Sequence, residues 1–480
     1  MLKAPTPLRA RTPQRPPTAS RFVRPAIGKM PSISKAGGAS LILLAILFWY
    51  IFYQNLPSDF GLNPLVEAQD SAVSAGAGAG GGDGGGNAQD RFFKILMLVV
   101  GVGVIASKWS LVRSLAKNSL NAGFLAFMVL IPLSAVWSYD RDATLLRFVT
   151  LASIVIVCFA ISLAGWHRQR FQQLTIPPLM YILVLSLVMG MMYPARIIEH
   201  GDDLSLKDAW HGITLTKNQF GMAASFGVII FANRFLAREG SMLWALIGAA
   251  IAFVCLVLSR SNTSLLSAMI AVFFMVLVMR VPVVRQRYSS HVVIGLVALL
   301  LLYECVIQDV FPGAHTLMSP IRAMTGKDGS LSGRTIIWDI IKQHIQAAPL
   351  LGTGYGAYWP GSPTPGSPSY VFLYLMYFYP SEAHNGYLDI VNDLGYVGLA
   401  CLAVFLIAYV RQGIELMRFD RNQAALYLGL LFHQLVMNMS ESEWFARDTV
   451  FTVIILGVCC MGRALHESRV QARALASAGH

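Results

Sequence analysis

Three short motifs bring together residue types that could act on a phosphate-bearing substrate. They follow one another in the longest hydrophilic interval of the second half of the chain, at about residues 309–385. Their sequences are S-G-R-T-I-I-W (Ser332 to Trp338), P-L-L-G-T-G-Y-G (Pro349 to Gly356) and E-A-H-N-G-Y-L-D (Glu382 to Asp389). A guanidinium group binds phosphate through paired hydrogen bonds, and an imidazole can accept a proton near neutral pH. The combination predicts group transfer on a phosphate-bearing substrate.

Arg334 opens a predicted amphipathic helix, for which Ser332 is a suitable N-cap. An arginine in the first turn opposes the helix dipole, which favours anions there. The placement makes sense when an anion is bound, so Arg334 is a candidate phosphate-binding residue, with a surface arginine as the alternative. The predicted apolar side of this helix comprises Ile336, Ile337, Ile340 and Ile341.

His384 lies where the hydrophilic interval meets the next apolar run. A histidine at such a boundary can serve as a general base, and the alternative is a structural interfacial histidine. Asn385 follows it and is a candidate for orienting the imidazole ring or the acceptor. Glu382 precedes it by two residues and is a further candidate substrate contact. It also leaves open a covalent double displacement through a carboxylate.

Three more polar residues lie at the ends of other apolar runs. Arg260 joins two of these runs in L-S-R-S-N-T-S. A charged residue at the centre of a membrane-spanning helix costs about 2.5–3.5 kcal/mol on insertion scales, and such a residue is usually functional. The alternative is an interface arginine whose side chain extends to the membrane surface. His211 and Lys217 lie in W-H-G-I-T-L-T-K-N-Q-F-G. Lys217 is either a second cation for an anionic ligand or an interface anchor.

These candidates must be positioned by membrane-spanning helices. The chain has 480 residues, of which 55% are hydrophobic and 13% charged, whereas a soluble domain carries about a quarter charged residues. A spanning helix needs roughly 20 apolar residues. The six cysteines all fall within apolar runs and predict neither disulfides nor a zinc site. About twelve spans are predicted, at roughly 38–55, 92–107, 119–137, 146–165, 175–193, 218–234, 241–259, 263–280, 290–308, 386–410, 423–439 and 448–464.

The charge distribution predicts the orientation of these spans. The net charge of +12 would suggest nucleic acid in a soluble protein, but here most Lys and Arg residues fall in the two terminal segments and in alternate interhelical segments, all on one predicted side. That pattern is the positive-inside rule, so we expect both termini in the cytoplasm and no nucleic-acid partner. The predicted organisation is a disordered basic cytoplasmic arm at 1–37, helices 1–9 at 38–308 with a glycine-rich outer loop at 75–87, a periplasmic catalytic loop at 309–385, helices 10–12 at 386–464 and a cytoplasmic tail at 465–480.

The ordered motifs resemble those of the O-antigen ligase and Wzy-type polymerase superfamily, and look closest to its exopolysaccharide-production (ExoQ-like) branch. The similarity rests on G-R-T-I-I-W, P-L-L-G-T-G-Y-G and H-N-G-Y-L-D-I-V-N-D-L-G, together with W-S-Y-D-R-D-A-T-L-L-R (Trp137 to Arg147) and H-G-I-T-L-T-K-N-Q-F-G. It covers about residues 120–460. The resemblance implies an all-α membrane protein of GT-C-like glycosyltransferase architecture with a long outer loop before helix 10.

The resemblance also implies a metal-independent glycosyltransferase that needs no cofactor and acts at the periplasmic face of the bacterial inner membrane. Its donor would be an undecaprenyl-pyrophosphate-linked saccharide. In this scheme His384 is the general base, Arg260 and Arg334 stabilise the leaving pyrophosphate, and Lys217 assists.

The acceptor defines the activity. Another lipid-linked repeat unit would make the protein a polysaccharide polymerase, which the branch resemblance favours, and lipid A core would make it an O-antigen ligase. A protein hydroxyl would make it an O-oligosaccharyltransferase. A transporter of lipid-linked saccharide is the alternative from another class. Membrane lipids, a chain-length regulator and export proteins are the remaining partner candidates.

Overall fold

The computed structural model describes residues 35–54, 56, 88–118, 120–199, 208–310, 313, 334–361, 363–376, 379–447 and 449–478. Residues 1–34 of the predicted basic arm, the glycine-rich loop at 75–87 and Ser332 lie outside the described residues. Within them, the regular structure is helical apart from one isolated bridge between Ile198 and Trp210. The predicted all-α class is therefore confirmed.

The longer helices account for most of the regular structure in the described residues. In chain order they are α1 (Lys35–Gln54), α2 (Ala88–Ser107), α3 (Trp109–Asn118), α4 (Ala122–Leu133), α5 (Arg141–Leu163), α6 (Arg170–Met192), α7 (Lys217–Ala237), α8 (Met242–Leu258), α9 (Asn262–Arg280), α10 (Ser289–Ile307), α11 (Arg334–Ala347), α12 (Gly386–Phe419), α13 (Arg421–Met437) and α14 (Thr449–Ala478). The last helix continues well beyond residue 464, where a cytoplasmic tail was predicted to begin.

The described residues contain seven helices that are long and apolar enough to cross a membrane. An eighth crossing results if Asp90–Ser107 and Trp109–Ala116 are counted as one span, although these two segments are bent by 83°. Three shorter apolar helices, Ser40–Tyr53, Ala122–Val136 and Met242–Leu258, coincide with predicted spans. A multi-pass membrane protein is thus supported, while the number twelve stays a prediction.

Helix α13 forms the centre of the bundle. Every residue from Gln423 to Met437 is buried, so this helix has no lipid-facing side. A helix enclosed all round packs against neighbours rather than lipid. Its neighbours include α9 and α12, and the buried Phe274 and Phe432 rings meet edge to face with centroids 4.6 Å apart. Its C-terminal end therefore leads into the middle of one end of the molecule, where the candidate site lies.

The segments predicted to be cytoplasmic contact one another at one end of the bundle. Arg168 forms an ion pair with Asp420 and a second with Glu239 at 3.1 Å. Arg421 donates a hydrogen bond to the Ser289 hydroxyl at 2.8 Å. This clustering agrees with the predicted alternation of the helices. Which end faces the cytoplasm stays a prediction.

The segments predicted to be periplasmic meet at the opposite end. The backbone N–H of Tyr139 donates to Thr353 O at 2.8 Å, and the Trp137 indole donates to Leu351 O at 2.9 Å. The interval predicted as one long loop is partly helical where it is described, since α11 and two short helical turns lie within it. The W-S-Y-D-R-D and P-L-L-G-T-G-Y-G motifs therefore share one scaffold.

Helix α12 is broken at Gly395, and the glycine-rich turn fits into the break. Gly395 has φ 64° and ψ −165°, and a Cβ there would lie 2.2 Å from Leu350 C. The freed backbone groups are used, because the N–H of Tyr396 donates to Pro349 O at 2.8 Å and that of Thr353 donates to Asn392 O at 3.1 Å. The break needs a glycine at this position, because any side chain would collide with the turn.

We predict that the end carrying α11 is periplasmic. Gln343→Cys on α11 and Ser477→Cys near the end of α14 are both exposed positions. In a background with Cys305 and Cys401 replaced by Ala, a membrane-impermeant maleimide added to intact spheroplasts should label only Gln343→Cys. Labelling of Ser477→Cys instead would invert the orientation, and labelling of both would contradict the bundle topology.

Candidate functional site

Four ionisable side chains meet at the predicted periplasmic end. His384 Nδ1 lies 3.0 Å from Glu382 Oε1 and 3.4 Å from Glu441 Oε2. Arg334 Nη2 lies 3.3 Å from Glu441 Oε1, which also accepts a hydrogen bond of 2.8 Å from the amide of Asn218. The side chains of His384 and Arg334 remain 29% and 22% exposed, so a substrate can reach them. We call Glu382, His384, Glu441 and Arg334 the site cluster.

The two carboxylates keep the imidazole cationic. Burial alone would lower the pKa of His384, but hydrogen bonds and charge from Glu382 and Glu441 together raise it to about 10. An unperturbed imidazole has a pKa near 6.5, so the site raises the pKa of His384 well above the ordinary value. At neutral pH the resting ring carries its proton, and a role as proton acceptor needs that proton to move first.

The two carboxyls of the site cluster differ from each other. Burial raises the pKa of Glu382, with only partial compensation from His384. Burial acts in the same direction on Glu441, but His384 and Arg334 outweigh it and hold the pKa of this carboxyl below its usual value. Paired groups whose environments separate their pKa values take different roles. Glu441 is suited to remain an anion that orients the cations, and Glu382 is suited to accept a proton.

His384 is held in an uncommon backbone conformation. Its φ of 51° lies in the left-handed region, which costs a non-glycine residue on the order of 1–3 kcal/mol. The turn is fixed on the N-terminal side, where the Trp338 indole donates to Ala383 O at 2.9 Å. It is fixed on the other side by the N–H of Gly386, which donates to Asn438 O at 2.9 Å. Such over-determined strain is common at functional sites.

Arg334 begins α11, as the sequence predicted. The buried side of that helix consists of Ile337, Trp338, Ile341 and Ile345. Ile336 was predicted on the apolar side but is 50% exposed, because the helix rotates to bury Trp338 against the turn before His384. This rotation places Arg334 beside Glu441.

Asn385 has a structural role that was not predicted. It is fully buried, and its side-chain oxygen accepts a hydrogen bond from the N–H of Leu388 at 2.9 Å, so it is the N-cap of α12. Its amide donates to Glu304 Oε1 at 2.8 Å. In this arrangement the side chain of Asn385 is engaged in these two hydrogen bonds. It fixes the start of the helix that follows His384.

Asp389 connects three separate segments around the site cluster. Its Oδ1 accepts a hydrogen bond from the Trp359 indole at 2.9 Å, and its Oδ2 accepts bonds from Ala383 N at 3.0 Å and from the Ser442 hydroxyl at 2.5 Å. Ser442 also accepts a bond from Asn385 N at 3.2 Å. One carboxylate therefore holds the His384 turn against the residue that follows Glu441.

The remaining predicted residues lie on α7, in the loop before it or in a turn packed against it. Lys217 is the first residue of α7 and precedes Asn218, which bonds to Glu441. Arg260 has φ 50° and forms an ion pair of 3.7 Å with Asp208, and it is about half exposed. Its turn packs on α7, where a Cβ on Gly221 would lie 2.7 Å from Ser261 Cβ. His211 Nδ1 lies 3.0 Å from Thr214 O in the loop before α7.

Glu441 and Asn218 were not predicted. Glu441 belongs to S-E-S-E-W, a short polar connection between α13 and α14. The available signal was a pair of acidic residues, Glu441 and Glu443, between two apolar helices on the predicted outer side. Glu441 lies 57 positions from His384, and local sequence does not reveal such a pairing.

Glu382, His384 and Glu441 could also hold a metal ion, because they offer ligand atoms within 4.8 Å of one another. Arg334 and Asn218 already donate to Glu441, which disfavours a further cation. The predicted independence of metals stays a prediction.

We predict that Asp389→Asn slows turnover roughly 10- to 100-fold, since a small misplacement of catalytic groups has costs of this size. Asparagine keeps the shape but cannot accept all three hydrogen bonds. The KM for donor should change little, because Asp389 contacts no exposed site group. Ser442→Ala, which loses one of these bonds, should have a smaller effect. The measurement is kcat and KM from equal amounts of inserted protein, and an unchanged kcat in Asp389→Asn would exclude a positioning role.

Comparison with known proteins gives two similarities. Residues 247–403 match the sequence model of a family described as O-antigen ligase. That range includes Arg260, Arg334 and His384, whereas Glu441 lies beyond it. The exopolysaccharide production protein ExoQ of Rhizobium meliloti (strain 1021) is 27% identical over 311 residues, which cover 63% of this chain and 68% of that protein. The predicted resemblance to the O-antigen ligase group and its ExoQ-like branch is thus confirmed.

Proposed function

From this resemblance to O-antigen ligases and an exopolysaccharide production protein, we propose that the chain is a polysaccharide polymerase of the bacterial inner membrane. It transfers a saccharide from undecaprenyl pyrophosphate to a sugar hydroxyl of another lipid-linked repeat unit. The observation that carries the proposal is the site cluster, in which Arg334 and His384 are held by Glu441 at 3.3 and 3.4 Å.

The leaving group needs cations. In the transfer, the acceptor oxygen bonds to the anomeric carbon, and the bond from that carbon to the pyrophosphate oxygen breaks with its electron pair. Arg334 lies within reach to take up the developing charge through a planar guanidinium group, and Arg260 and Lys217 lie on adjoining segments. Because Arg334 is paired with Glu441 before substrate arrives, its position is set in advance.

The acceptor hydroxyl needs a base. Its proton passes to the Glu382–His384 pair, whose facing atoms are 3.0 Å apart. The carboxylate of Glu382 can take the proton directly. Alternatively, it can first take the ring proton of His384 and leave a neutral imidazole as the base. Both routes form and break the same bonds in a single displacement, so we expect inversion at the anomeric carbon.

The acceptor is tested with the full-length protein in nanodiscs and an undecaprenyl-pyrophosphate-linked repeat unit as the sole saccharide. A polymerase gives a ladder of products that differ by one repeat unit. An O-antigen ligase, favoured by the family description over residues 247–403, gives product only when lipid A core is added. Chelator should leave the rate unchanged, and a loss of activity there would overturn metal independence.

Transport without transfer would refute the proposal. In proteoliposomes, movement of the lipid-linked saccharide to the opposite leaflet with no new glycosidic bond would identify a transporter. The placement of the site cluster at one end of the bundle supports transfer, because transporter sites lie near the bilayer midplane.

A further inference from the structure

Two cavities lie against α6. The larger, of about 270 Å³, lies between α1 and α6. The smaller, of about 30 Å³, lies between α6, α7 and the start of α14. Leu56 and Ile182 line both of them, so the cavities adjoin. Leu56 is fixed there by a hydrogen bond of 3.0 Å from its N–H to Tyr53 O.

The larger cavity is apolar and opens toward the lipid-facing surface. Its wall includes the aromatic side chains of Trp49, Tyr53 and Tyr181, which are 40%, 56% and 49% exposed. The wall is anchored by the Trp49 indole, which donates to Leu174 O at 3.0 Å. Helix α6 is among the helices able to cross a membrane, so the exposed side of Tyr181 faces hydrocarbon. The described residues that line this cavity include no charged one.

The smaller cavity reaches the start of α7. Its wall changes from apolar to polar, with Thr214, Gln219 and Thr449 beside Phe226. Gln219 follows Asn218, whose amide donates to Glu441. The two cavities thus connect a lipid-facing, aromatic opening with the end of α7 next to Arg334 and His384.

We propose that Leu56 and Ile182 mark the middle of a groove that binds the polyisoprenoid chain of the lipid-linked donor. This inference rests on the proposed function. The pyrophosphate would lie at the site cluster, the first isoprene units would pass Gln219 and Leu56, and the chain would enter the bilayer beside Tyr181. The larger cavity is near the lower end of the usual range for ligand sites, about 300–1,000 Å³. The smaller one holds about one water-sized group, so Leu56 must rotate to admit a single chain.

An isoprenoid chain fits this groove better than a phospholipid. A phospholipid brings two acyl chains to one headgroup, whereas the narrow passage at Leu56 admits one chain once the Leu56 side chain has rotated. The apolar, aromatic wall also excludes the saccharide itself, whose hydroxyls would lose their hydrogen bonds to water there.

The test compares donors that carry the same saccharide on farnesyl or undecaprenyl pyrophosphate. Wild-type protein should have a lower KM for the undecaprenyl donor. Leu56→Trp, which fills the passage, should raise KM roughly tenfold for both donors, equal to about 1.4 kcal/mol. Tyr181→Ala, at the far end, should raise KM for the undecaprenyl donor only. The control is Val184→Trp, an exposed position on α6 outside the groove, which should match wild type.

Equal KM values for the two donors in the wild type would overturn the groove and leave the proposed function standing. A second readout does not depend on transfer. Photoreactive farnesyl pyrophosphate should crosslink to α1 and α6, and undecaprenyl pyrophosphate should compete where phosphatidylglycerol does not. Crosslinking of this kind without any transfer would keep the groove and refute the proposed function. Equal competition by phosphatidylglycerol would show a general lipid site and refute the groove.

Discussion

His384→Ala should reduce saccharide transfer by about 10²–10⁴-fold, the usual contribution of a positioned proton-transfer group. Donor binding should persist, because Arg334 remains paired with Glu441. His384→Gln should be nearly as slow, since glutamine can hydrogen-bond to Glu382 but does not exchange a proton. The measurement is the rate of transfer from lipid-linked oligosaccharide by equal amounts of inserted protein.

The matched control is His291→Gln, an exposed histidine at the opposite end of the bundle, which should keep full activity. Full activity in His384→Gln would leave Glu382 alone, or the substrate itself, as the proton acceptor.

The pH dependence shows whether the Glu382–His384 pair must lose a proton to solvent before transfer. With a pKa of about 10 in the resting site, the neutral form of His384 grows with pH up to that value. If the ring must lose its proton to solvent before it acts as the base, wild-type activity should still be rising at pH 8–9, whereas an ordinary histidine would give a plateau by then. A flat profile between pH 6 and 9 would instead show that the pair keeps one proton, as in both routes proposed above.

Glu441→Gln provides the companion measurement. It removes one of the two carboxylates that raise the pKa of His384, so a rising limb should move to lower pH. Asp339→Asn, which removes an exposed carboxylate on α11, should leave the limb in place. If the rising limb does not move in Glu441→Gln, the group that titrates is not His384.

Arg334→Lys should reduce transfer roughly 30- to 1000-fold although it keeps the positive charge. The planar guanidinium can contact Glu441 and a pyrophosphate oxygen at the same time, whereas an ammonium group is a single point charge. Loss of one such contact in the transition state costs about 2–4 kcal/mol. The measurement is product yield per inserted protein, with donor KM determined separately.

Arg141→Lys is the matched control, since this exposed arginine also opens a helix at the same end of the bundle. Near-wild-type yield in Arg334→Lys would show that Arg334 is a surface cation, and the proposed role in leaving-group departure would fall.

The sequence by itself determined the class of the fold and the positions in the chain of three members of the site cluster. Apolar runs of membrane length become helices because the backbone must satisfy its hydrogen bonds internally in lipid, whatever the neighbours are. Arg334, His384 and Glu382 stood out because polar residues at the ends of such runs are few. The order of their motifs along the chain also supported the resemblance to a known family.

Only the tertiary structure decided what these residues do together. Glu441 joins the site because the C-terminal end of α13 lies at the His384 turn. The pKa of His384 is raised because Glu441 and Glu382 both lie beside the ring. Asn385 was a candidate for orienting the imidazole ring or the acceptor, and only the structure shows that it is the buried N-cap of α12. Long-range packing also set the exposure of Ile336 and the break at Gly395, since both depend on segments distant in the chain. Local periodicity fixes which residues form a helix, but the neighbours that a side chain meets depend on how the helices pack.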